Sequence, residues 1–158
     1  MDRILYRLSS LYDGYLETVN RLESERKLGE GMFGLRPGPA DNPCHDRFAE
    51  DLEYLLQELT PGETDSALLR TVMEYIYDAP VQNPDPKSAY WMLIAVQGLT
   101  KNLIAGLSQE DADALAAHYA EQYPRSQRMP IQNDLLKLLR QAGGGNAPEK
   151  RPFLFWKK

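Results

Sequence analysis

Apolar residues recur at helical spacing along most of the chain. Ile4, Leu5, Leu8, Leu11, Tyr12, Tyr15, Leu16, Val19 and Leu22 fall on one side of a helical projection, and Arg, Asp and Glu fill the other through Lys27. The pattern predicts a long amphipathic first helix. Gly14 interrupts it at about 1 kcal/mol relative to Ala and reads as a tolerated defect rather than a helix crossing. A second stripe, Phe48, Leu52, Leu55, Leu56 and Leu59, predicts another helix. It ends at Thr60-Pro61-Gly62-Glu63, which combines a capping threonine, a first-position proline and a capping-box glutamate. That tetrapeptide is expected to start a third helix burying Leu68, Leu69, Val72, Met73, Ile76 and Tyr77.

The run Ala79 to Pro86 contains three prolines and is expected to be a rigid connector outside any helix. From Lys87 to Leu107 the chain is apolar nearly all round at first, which predicts a helix at the centre of a bundle. A buried strand over Tyr90–Val96 is the weaker alternative, because helical spacing continues through Leu99, Leu103, Ile104 and Leu107. Ser108 to Asp111 resembles a capping box and opens a helix that buries Leu115, His118 or Tyr119, and Tyr123, before Pro124. A last helix starts at Pro130, carries Ile131, Leu135, Leu136, Leu138 and Leu139, and stops at Gly143-Gly144-Gly145. No period of about 20–50 residues repeats, so a solenoid finds no support. The expected fold is all-α: a compact bundle of about six helices in a single domain over residues 1–142. A Gly-hinged aromatic and basic tail follows over residues 143–158.

One internal segment breaks this pattern. Gly29 to Pro43, GEGMFGLRPGPADNP, holds four glycines and three prolines and delivers Cys44, His45 and Asp46 to the next helix. A thiol near a helix N-terminus is favoured as thiolate, and a histidine in reach would act as its base, so Cys44 and His45 are weak catalytic candidates. Adjacent residues on a helix point apart, however, and the only other histidine is His118. Cys44, His45, Asp46 and Glu50 are metal-donor types without the paired spacing of a zinc site, and neither histidine completes a Glu-x-x-His motif. Asp46, Glu50 and Glu53 read as a solvated acidic face. GEGMFG matches no phosphate-binding loop. No metal and no cofactor are expected. Met32 and Phe33 are instead candidate contact residues in an apolar segment.

Composition narrows the function classes. At 158 residues with 42% hydrophobic content the chain can bury a core, and its single cysteine excludes an internal disulfide. The N-terminal stretch lacks a signal-peptide pattern and no later stretch is long and apolar enough to span a membrane, so a cytoplasmic location is expected. The net charge of −5 divides into +3 for residues 143–158 and therefore −8 for residues 1–142. An acidic body disfavours broad binding to nucleic acid or anionic membrane. Arg125, Arg128, Lys137 and Arg140 form at most a local basic patch, which carries a weak nucleic-acid reading. The tail places Phe153, Phe155 and Trp156 among Lys150, Arg151, Lys157 and Lys158, a composition suited to folding back on its own bundle or to docking on another subunit or a partner protein, with a membrane surface the weakest reading. The expectation is a non-enzymatic cytoplasmic protein acting by protein–protein contact or self-association, as an adaptor, regulator or oligomeric accessory subunit. Its proposed contacts are Met32, Phe33, Phe153, Phe155 and Trp156. The alternative is a small enzyme or ligand-binding protein that uses Gly29–Asp46.

Overall fold

The apolar stripes close on one another as helices, and the computed structural model describes residues 2–29, 43–83 and 89–144. Among the described residues there are six α-helices and no strand. They are α1 (Asp2–Gly29), α2 (Pro43–Leu56), α3 (Ser66–Gln82), α4 (Tyr90–Ala95), α5 (Gln109–Gln122) and α6 (Pro130–Ala142). A 3₁₀ segment, η1 (Val96–Gly106), continues α4, and a short 3₁₀ turn spans Arg125–Gln127. The strand alternative for Tyr90–Val96 is thereby replaced by helix.

α1 packs on α2, where Tyr15 and Phe48 stack with ring centroids 4.1 Å apart and Tyr12 meets Phe48 and Tyr75 edge-on. α3 packs on α4, η1 and α5, α6 packs on α5 and η1, and α2 also reaches η1. Each contact buries the expected stripe. Leu8, Leu52, Leu69, Val72, Met73, Ile76, Leu93, Leu115, Leu135 and Leu139 are fully enclosed. Of the pair His118 or Tyr119, tyrosine takes the core position. Leu138, expected inside, lies on the solvent side of α6.

Three boundaries differ from the sequence reading. The third helix starts at Ser66, not Thr60. Gly62 adopts φ +92°, which no helix accommodates, so Thr60 instead closes a turn in which Glu63 and Thr64 donate to its carbonyl at 3.0 and 2.8 Å. Pro80, expected in a connector, lies inside α3. It sits in the last turn, where few backbone bonds remain to be lost. The helix then ends two residues later, where both the amide and the side chain of Asn83 donate to the Ala79 carbonyl at 3.1 and 2.9 Å. Finally, the central helix tightens from α to 3₁₀ at Val96. Ser108 caps α5 as anticipated, its hydroxyl accepting from the Asp111 amide at 3.1 Å.

A buried polar cluster joins α3, η1, α5 and α6. The Tyr119 hydroxyl donates to Gln97 Oε1 at 2.6 Å, and Gln97 Nε2 donates to the Tyr123 hydroxyl at 3.1 Å. The Tyr123 hydroxyl donates in turn to the carbonyl of Tyr77. Thr100 donates to the Gln97 carbonyl at 2.7 Å and so accepts from Tyr77, whose hydroxyl lies 2.6 Å away. Gln132 Nε2 reaches Gln97 Oε1 at 3.4 Å, while Gln132 Oε1 accepts from the Met129 amide at 3.0 Å and closes the start of α6. Four helical elements are thus keyed to one buried amide.

Candidate functional site

Proline opens α2, and the two residues after it diverge, as neighbours on a helix must. Cys44 turns toward α1 and lines a groove of about 380 Å³ with Ser10, Gly14, Thr18, Arg21 and Arg47. His45 turns inward and is buried. Its Nδ1 lies 2.6 Å from the Tyr15 hydroxyl, and its ring sits 5.5 Å from that of Trp91 on α4. Asp46 remains on the surface in the first turn of α2, where a carboxylate complements the helix dipole.

The electrostatics of this corner oppose thiol chemistry. Burial pushes the Cys44 thiol up, outweighing its own backbone hydrogen bond and the guanidinium groups of Arg21 and Arg47, which pull the other way. A thiol nucleophile needs a downward shift. Burial likewise raises the Tyr15 phenol, with Cys44 adding to the effect, so Tyr15 keeps its proton and is competent to share it with His45. The geometry describes an imidazole held between helices by a phenol and capped by an indole.

His118, the second histidine, stands apart. Its Nε2 pairs with Asp78 Oδ1 at 2.7 Å and ties α5 to α3. At the other end of that pair of helices, Ser66 donates to Asp111 at 2.5 Å and Arg70 donates to it at 3.2 Å. The Ser66 hydroxyl accepts from the Ser108 amide at 2.8 Å. The hydrogen bond from Ser66, with Arg70 adding to it, holds the Asp111 carboxyl below its usual range. Among the described residues no group of three or more His, Cys, Asp or Glu side chains is arranged to hold a metal ion. No helix among them is long and apolar enough to cross a membrane.

Of the basic residues in the final loop and helix, Arg128 is drawn inward, its Nε donating to the Tyr123 carbonyl at 2.7 Å. Arg125 and Lys137 are exposed. Met32, Phe33, Phe153, Phe155 and Trp156 lie outside the described residues.

The sequence reading missed a surface at the start of α4. Tyr90 and Trp91 are 44% and 42% exposed, although Met92, Leu93 and Ile94 directly after them are buried. Val81, at the end of α3, is also exposed, and only the connection between Gln82 and Tyr90 separates them in sequence. α3 packs on α4, so the three side chains share one end of the bundle, the end at which α2 begins and Trp91 covers His45. Charge offered no signal here, because the stretch reads as apolar on every side. Comparison with family models, with curated proteins and with solved structures finds no match.

Proposed function

We propose that this chain works by protein–protein contact, as a cytoplasmic adaptor, regulator or oligomeric accessory subunit. The observation that carries the reading is the exposure of Tyr90 and Trp91 at the start of α4. Tyrosine and tryptophan dominate interface hot spots because each offers a large contact area with few rotatable bonds. Trp91 is also positioned from beneath by His45, which is itself fixed by Tyr15, so the ring is presented with little freedom to lose on binding. Met32, Phe33, Phe153, Phe155 and Trp156 remain proposed contacts on the same reading.

Affinity capture from an extract of the source cells tests it. The native chain is set beside a Val81→Lys/Tyr90→Lys/Trp91→Lys variant, and both are checked for native helix content by circular dichroism. Partners retained by the native chain should be lost from the folded variant. Recovery of the same proteins in the same amounts by both chains would remove this face as a contact surface. A second variant, with the five proposed contacts made polar, then reports on those residues. Unchanged recovery by both variants would overturn the interaction reading.

A further inference from the structure

A groove of about 390 Å³ runs between α2 and η1, floored by Leu56, Leu59, Leu99 and Leu103. The α2 wall carries Glu53, with Asp46 and Glu50 on the same side at helical spacing. All three carboxylates are exposed, and among the described residues none is in an ion pair. An apolar floor beside an unneutralised acidic wall fits a segment that mixes aromatic and cationic side chains.

We propose that the occupant is the chain's own C-terminal segment, with Phe153, Phe155 and Trp156 against the leucine floor and its lysines and arginine facing the carboxylates of α2. The first argument is where the described chain leaves off. Gly143 lies against α5, since a Cβ there would stand 2.9 Å from the backbone of Asp113, and Gly144 lies against Gln109. Gln109 follows closely on Gly106, which abuts Pro61, and Pro61 lines the groove. The described chain therefore leaves off on α5 near the junction with η1, whose last residue abuts the Pro61 end of the groove.

Length is the second argument. Residues 145–152 reach about 27 Å when extended, more than the span of about 22 Å of η1, so the segment is long enough to bring Phe153 from α5 to the near part of the groove. Charge is the third. The tail carries +3 over residues 143–158. Two other grooves each carry one more cation than anion, Arg21 and Arg47 with Asp51 in one and Arg3 and Arg7 with Glu58 in the other, and so favour such a segment less. The α2/η1 groove presents Glu53 and a single lysine, Lys101. Three aromatic rings, each with about 150–250 Å² to bury, gain most from an enclosed apolar floor. The inference meets the interaction reading only at Phe153, Phe155 and Trp156: docked in this groove they are withdrawn from partner contact, which then rests on Tyr90 and Trp91 with Met32 and Phe33.

The chain has two tryptophans, Trp91 and Trp156, so Trp91→Phe leaves Trp156 as the reporter in the full-length protein. Its emission should be blue-shifted, and its quenching by acrylamide several-fold slower than in the urea-unfolded chain, while light scattering gives the mass of one chain. Glu50→Lys/Glu53→Lys, two surface changes, should raise quenching several-fold, and Leu99→Gln should do so without dependence on salt. Quenching as fast as in unfolded chain overturns the proposal. So does protection found only in a species of twice the mass, which would put the tail on a second copy. Protection in a single chain that neither groove variant alters would place the tail elsewhere and overturn it equally.

Discussion

Two buried tyrosines occupy opposite positions in the hydrogen-bond accounts of this core. Tyr12 is 1% exposed and its hydroxyl finds no partner among the described residues. Tyr119 is 0% exposed, and its hydroxyl donates to Gln97 Oε1 at 2.6 Å. A buried hydroxyl without a partner costs about 1–3 kcal/mol in lost hydration, whereas a satisfied one contributes about 1 kcal/mol net. Tyr12→Phe should therefore leave stability unchanged or raise it by about 1 kcal/mol, because the ring contacts with Phe48 and Tyr75 survive. Tyr119→Phe should lower stability by about 1–2 kcal/mol, and Gln97→Leu by about 3 kcal/mol, since it strands several partners at once. Urea unfolding of the three variants measures this order. A loss for Tyr12→Phe as large as that for Tyr119→Phe would show that the Tyr12 hydroxyl is satisfied.

At the level of the element, glycine separates helix positions that must stay small from one that need not. A Cβ on Gly106 would stand 2.7 Å from Leu69 Cδ1 and 2.9 Å from Pro61 Cα, and the second contact is backbone that cannot step aside. A Cβ on Gly14 meets nothing within 4 Å. Gly14→Ala should accordingly stabilise by about 1 kcal/mol through helix propensity, and Gly106→Ala should destabilise by about 1–3 kcal/mol through overpacking. Thermal unfolding of both variants checks the pair, and equal shifts of the same sign would contradict the packing of η1 on α3. Gly14 reads along the sequence as a tolerated defect, and the open space around it agrees. The role of Gly106 was not legible, because its neighbours come from Pro61 and Leu69, distant in the chain. The same distinction governs helix boundaries. Ser108 acts through the amide three positions on and Pro130 through its own fixed φ at the first helical position, and both were read correctly. Pro80 was misread as a helix breaker because in the last turn of α3 it forfeits only the bond to the Ile76 carbonyl, and Tyr123 and Gln97 from other elements donate to the neighbouring Tyr77 carbonyl. Likewise, the tightening of η1 accompanies a threonine that bonds to the carbonyl three residues back, with Gln97, Thr100 and Leu103 all buried at the three-residue spacing of a 3₁₀ helix.

Across the whole molecule, local signals located the helices and the all-α class, but the exposed aromatic pair and the buried polar cluster emerged only from tertiary packing. Trp91 and Tyr90 look like core in a one-dimensional pattern, and only the placement of α4 over His45 turns them outward. Tyrosine burial then gives the molecule a collective response to alkali. Burial raises the phenols of Tyr12, Tyr15, Tyr77, Tyr119 and Tyr123, and hydrogen bonds with Thr100, Gln132 and Gln97 offset this only partly at Tyr77, Tyr119 and Tyr123 respectively. Their folded pKa values lie above the unfolded value of about 10, so the stability they contribute is fully present below about pH 10. Above it the unfolded chain releases protons that the folded chain keeps, and stability falls as pH rises toward the folded values. Each phenol loses about 1.4 kcal/mol per pH unit in that range, so five together remove about 7 kcal/mol per unit, a loss comparable with the whole stability of a typical domain. The five should therefore ionise together with unfolding rather than one after another in an intact fold. Absorbance at the phenolate band and far-ultraviolet circular dichroism, followed on one alkaline titration, should show a steep common transition between about pH 11 and 12. Ionisation of these tyrosines while helix content holds would mean that solvent already reaches them, and the core built on α1, α3 and α5 would have to be looser than the packing of their rings implies.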